Sequence, residues 1–137
     1  MVVCAACNIR GLASSATRPE GTVVSTGYCL VLVTTRSRRR AETLARSAVE
    51  SRLAARAHAA GPNHGFQWIG SAVARVREWQ VWCATTEARY DELAAHLAAN
   101  HGEQLADVVR IAIDAAPPQY LLWLNAETVS TGPRTGE

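Results

Sequence analysis

The stretch that most constrains this chain is Tyr28-Cys29-Leu30-Val31-Leu32-Val33-Thr34-Thr35, followed at once by a helical pattern. The run from Tyr28 to Val33 is apolar on both faces, as a strand covered on both sides would be. Ser37 is placed to cap a helix. Beyond it Ala41, Leu44, Ala45, Ala48, Val49 and Leu53 repeat at helical spacing along one face. The pattern predicts a strand over 28–34 and a helix over 37–56. Neither hides its apolar surface alone, so the two must pack on each other.

Downstream, Gly61-Pro62-Asn63 and Gly70 break a segment that precedes a long alternating run, Val73 to Ala84. In that run Val73, Arg75, Arg77, Trp79, Val81 and Cys83 share one face. Ala74, Val76, Glu78, Gln80, Trp82 and Ala84 share the other. The expectation is a hairpin pairing this run with 57–69, covered on both faces near Trp79, Val81 and Trp82. A second helix is expected from the cap Thr86 to Asn100, with Tyr90, Leu93, Ala94, Leu97, Ala98 and His101 inward and Gly102 as its left-handed cap. On its outer side Glu92 and His96 stand four apart, as a solvated pair. A strand over 107–113 and a short helix over 118–124 complete the order. That order, βαββαβ with a terminal helix, is the α+β ferredoxin-like sandwich. Residues 1–26 are aperiodic and read as an unordered extension, 27–127 as the domain, and 128–137 as a frayed tail.

With 137 residues the chain makes one domain with a substantial core. A net charge of +2 is too small to argue for nucleic acid. All fourteen basic residues are arginines, which reads as codon bias. No apolar run approaches the roughly 20 residues of a membrane span, and no signal-peptide pattern opens the chain. A cytoplasmic location is expected. Cys29 and Cys83 fall inside strands, where a reduced, buried thiol is the expected state. Cys4 and Cys7 form a lone C-x-x-C pair, short of the four ligands of a structural zinc site.

The segments YCLVLVTTRSRRRAETLARSAVESRLAAR, FQWIGSAV, CATTEARYDEL, ADVVRIAI and PQYLLWL, in this order and spacing, resemble the CutA divalent-cation tolerance proteins. The resemblance covers about residues 27–127. It implies a homotrimer of ferredoxin-like subunits, similar to the nitrogen-regulatory PII proteins, with strands extending across the subunit interfaces. It also implies an association with metal tolerance and copper. Several cleft positions depart from the family pattern. Arg56 and His58 stand where the family has a cysteine and an asparagine after the first helix. Ala84 replaces its lysine before the threonine pair. His101-Gly102-Glu103-Gln104-Leu105-Ala106 stands in place of His-Pro-Tyr-Glu-Val-Pro, with only the histidine kept. Losing the cysteine, lysine, tyrosine and glutamate together argues against ordinary copper chemistry: the scaffold is kept and the cleft rewritten.

The expected cleft therefore binds a metal ion or a small organic ligand or anion. Arg56, His58 and Glu103 supply polar contacts, and Trp68, Trp79, Tyr120 and Trp123 supply aromatic walls. The competing reading is an enzyme of small-molecule metabolism, such as a cyclase or isomerase. There His101 is an acid or base, since imidazole titrates near neutrality, and Glu78 is its partner. Glu78 otherwise pairs with an arginine. For a metal such as copper or zinc, His58, His64, His96 and His101 with Cys29 and Cys83 offer borderline and soft ligands. No two of these histidines stand i, i+4 on a helix, and His101 is the one metal-ligand candidate retained. Arg36, Arg38, Arg39 and Arg40 crowd the start of the first helix, where positive charge opposes its dipole and reads first as a solvated face.

Overall fold

A computed structural model describes residues 25–102 and 107–129. Strand β1 spans Tyr28–Thr35 and helix α1 spans Arg38–Glu50. Strands β2, Arg56–Ile69, and β3, Ala72–Thr86, form a long hairpin. A 3-10 turn over Glu87–Arg89 leads into α2, Tyr90–His101. Strand β4 is Val109–Ala112, and α3 is Pro118–Thr128. The sheet order is β2-β3-β1-β4 and every pairing is antiparallel. With α1 and α2 on one face, this is the ferredoxin-like arrangement.

Alternation along β1 decides which face holds the core. Cys29, Val31, Val33 and Thr35 are buried toward the helices, while Tyr28, Leu30, Leu32 and Thr34 are half-buried on the other face. On β3, Val81 and Cys83 continue the helix-side core, and Leu44, Leu93 and Leu97 close it from above. Each fully buried leucine contributes about 1.5–3 kcal/mol. Helix α1 starts where Ser37 Oγ accepts the Arg40 N–H at 3.1 Å, a cap worth about 1 kcal/mol.

Helix α1 ends at Glu50, well short of the Arg56 its apolar spacing predicts. Arg52 takes a positive φ of 64°, and the N–H groups of Leu53 and Ala54 both fold back onto the Ala48 carbonyl. Leu53 and Ala54 are buried by this fold-back rather than by a further helical turn. Arg56 therefore opens β2. Helix α2 begins one short turn later than expected, because the Thr86 hydroxyl caps the 3-10 turn by accepting the Arg89 N–H. Gly102 closes it with φ 81°, as expected. Helix α3 runs on to Thr128, a buried residue whose hydroxyl donates to the Leu124 carbonyl.

The hairpin is longer than the sheet that holds it. Strand β1 pairs only with 79–86 of β3, so residues 72–78 have β2 on one side and no strand on the other among the described residues. A register shift lies between Ala60 and Asn63, where the arm leaves the sheet. Phe66, Trp68, Ile69 and Val73 sit on this arm, and Trp68 is 72% exposed. A long, apolar, half-unpaired edge is a template for pairing with another chain.

Candidate functional site

The pocket lies on the sheet face away from α1 and α2. Across three adjacent strands the register places Arg56, Ala84 and Leu30 in one row. His58, Trp82 and Leu32 form the next. Period-two geometry sends both rows to the same face, away from α1 and α2. Helix α3 adds Tyr120. Arg56, His58, Leu30, Trp82, Ala84 and Tyr120 together line a pocket of about 200 Å³. Ala84 makes the hollow, since its methyl leaves space between the longer side chains of Arg56 and Leu30. Trp82 Nε1 donates to Gln80 Oε1 at 3.2 Å, which uses its single donor and leaves the ring as a wall. Arg56 has no carboxylate partner among the described residues.

Of the residues expected from sequence, Arg56, His58 and Tyr120 meet here. Trp123 stands beside Tyr120, with ring centroids 5.9 Å apart, but does not line the pocket. Trp82 was not among the expected ligand contacts, although its alternation with Val81 and Cys83 already set it on the face of Ala84. Trp79 lies on the opposite, helix-side face, where it packs against the core and Arg77 covers its ring at 5.4 Å. Trp68 pairs with Val73 near the arm's tip, nine positions along β3 from Trp82 and so about 30 Å away. Glu103 lies outside the described residues, as do Cys4 and Cys7.

His101 and Glu78 do not share a site among the described residues. His101 is buried and its Nε2–H donates to the Thr34 carbonyl, while its Nδ1 has no partner among the described residues. Glu78 sits on the arm against Gly65: a Cβ at Gly65 would meet its carboxylate at 2.9 Å. It makes no ion pair with an arginine among the described residues. On α2, Glu92 pairs with Arg89 at 2.7 Å rather than with His96. His96 instead shares a hydrogen bond with Ser47 of α1 at 2.9 Å.

The described donors of one chain do not fit a metal ion. Among the described residues no group of three or more His, Cys, Asp or Glu side chains is brought together. His96 and His101 each spend Nε2 on a hydrogen bond, and Arg75 approaches both ring nitrogens of His64 at 3.3 Å. Cys29 and Cys83 are free and buried. Burial pushes the Cys83 thiol up to about 12 from 9.0. The Cys29 thiol is raised to about 11 by burial, with Arg110 opposing and Glu87 adding. A thiol that stays protonated near neutral pH is a poor ligand.

These shifts predict a pH dependence. The folded chain holds both protons above the pH at which the unfolded chain releases them, so stability is full below about 9 and falls as pH climbs toward 11 and 12. Urea midpoints measured at pH 8, 9 and 10 should fall across the series, and a Cys29→Ala/Cys83→Ala variant should flatten the fall. An equal fall in the variant would assign it to other groups.

The described helices include none long and apolar enough to cross a membrane. The profile of the CutA1 divalent ion tolerance protein family matches residues 29–127. Protein CutA 1, chloroplastic, from Oryza sativa subsp. japonica is 29% identical over 121 residues, covering 88% of this chain and 68% of its own. Among solved structures, CutA1 from Oryza sativa superposes with a TM-score of 0.72 at 25% identity, over 78% of this chain and 98% of that one. CutA from Synechococcus elongatus gives 0.70 at 27% identity, over 80% and 97%. CutA from Xylella fastidiosa gives 0.72 at 22% identity, over 76% and 100%; at that identity the likeness speaks for the fold alone. With a family match over most of its length and the same topology in these structures, the chain belongs to the CutA1 divalent ion tolerance protein family.

Proposed function

We propose that the protein works as an assembly of three copies whose pockets, on the sheet face away from α1 and α2, lie between chains and bind a small ligand. Divalent ions enter through donors shared by neighbouring chains. The observation that carries this reading is the half-unpaired hairpin. Among the described residues, positions 72–78 leave a backbone edge open, and the exposed aromatics of the arm ask for a cover that the described residues of one chain do not supply. Among the described residues the outer edge of β4 is open too, with Val109 and Ile111 exposed. An arm from one copy laid on an edge of the next is a head-to-tail contact, which closes into a ring when the rotation permits. The number three comes from the resemblance to CutA proteins.

Within that assembly His58 is the histidine that lines the pocket. Neighbouring copies must supply any further metal ligands. The test is a calorimetric titration of the purified assembly with copper(II) and with zinc(II). Saturable binding at micromolar ion, weakened by His58→Ala, is the expected result. No heat with either ion removes divalent-ion binding from the proposal. Ion binding that His58→Ala leaves unchanged moves it away from this pocket.

A further inference from the structure

The pocket's lining is selective about charge and shape, and that narrows the ligand. We propose that it takes a small planar carboxylate, a single aromatic or conjugated ring bearing one acid group. The inference rests on the reading that this pocket is the functional site. Four of the six lining residues, Leu30, Ala84, Trp82 and Tyr120, are apolar or aromatic. Such a surface favours a flat apolar body lying against rings. Within one chain the pocket holds about 200 Å³, below the roughly 300–1,000 Å³ of sites for larger organic ligands, so the walls that one chain supplies accommodate a single ring.

Arg56 supplies the charge preference. Its guanidinium has no carboxylate partner among the described residues, and its fork matches a carboxylate through two parallel hydrogen bonds. Across β2, two residues on, His58 adds a second donor on the same face. The same fork would also suit a phosphate, so the preference for a ring acid comes from the apolar and aromatic lining around it. An organic cation would face Arg56 as a like charge. Trp82 has already given its only N–H to Gln80, so its contact with the ligand is through the ring face or edge. Tyr120 faces the same pocket from α3.

Three probes of one shape separate the contributions: benzoate, its neutral analogue benzamide, and the cation benzylamine. Calorimetry on the intact assembly should show benzoate binding at least tenfold more tightly than benzamide, and benzylamine not at all. Arg56→Gln, an exposed position whose replacement leaves the core untouched, should abolish the preference for benzoate over benzamide. Trp82→Leu should weaken both. Equal binding of benzoate and benzamide, a preference that survives Arg56→Gln, or no benzoate binding to an assembly that is intact by sedimentation overturns the inference. Each of these leaves the assembly standing. A chain that sediments singly overturns the underlying reading instead.

Discussion

Leu44→Ala lowers the stability of the fold by about 2–5 kcal/mol, the range for emptying a leucine site that cannot collapse. Leu44 sits fully buried on α1, and the cluster around it joins β1, β3 and α2 through Val31, Val33, Val81, Leu93 and Leu97. Each of these is also completely shielded from solvent, so little freedom exists to fill the void. The substitution leaves helix propensity almost unchanged or slightly better, so the loss reports packing and not helix formation. Urea unfolding of the variant beside the natural chain measures it as a shift in midpoint at constant slope. A shift worth less than about 1 kcal/mol would mean that the helix layer does not seal against the sheet as described.

Trp68→Asp has its effect elsewhere. The side chain is 72% exposed in the single chain, so within one copy the change should stay within about ±0.5 kcal/mol. In the proposed assembly the same residue lies on the arm that reaches the next copy. Truncating a buried interface tryptophan costs about 2 kcal/mol or more, and a carboxylate set into an apolar contact costs more again. The expected result is a chain that stays folded by far-ultraviolet dichroism but sediments as a single copy at concentrations where the natural chain is assembled. An unchanged sedimentation coefficient would take the arm out of the interface.

Local periodicity explains what the sequence made legible. The strand over Tyr28–Thr35, the helices that follow it and the Gly102 cap each depend on neighbours a few residues away, and each appears close to its expected place. The end of α1 does not. Leu53 continues the helical spacing, and the positive φ falls on Arg52, a residue type with no preference for it. Nothing local distinguishes that fold-back from another helical turn.

The pocket was legible in part for a related reason. Arg56 and His58 came from the comparison with the CutA pattern, and register brings them beside Ala84 and Trp82. Trp79 was readable from alternation alone, because it shares a face with Val81 and Cys83 and those are core. Its ring would suit a binding wall, but its parity puts it on the helix side of the sheet, away from this pocket. His101 carried a chemically attractive side chain, but the hydrogen bond that occupies it runs to a backbone carbonyl 67 positions earlier. No sequence pattern encodes such a partner.

Sedimentation velocity of the natural chain in dilute solution bears most directly on whether the sheet edges are shared between copies. One species at three times the 14.7 kDa mass of the chain, persisting at micromolar concentration, is the expected result. A stable, folded species at the mass of one chain would contradict it.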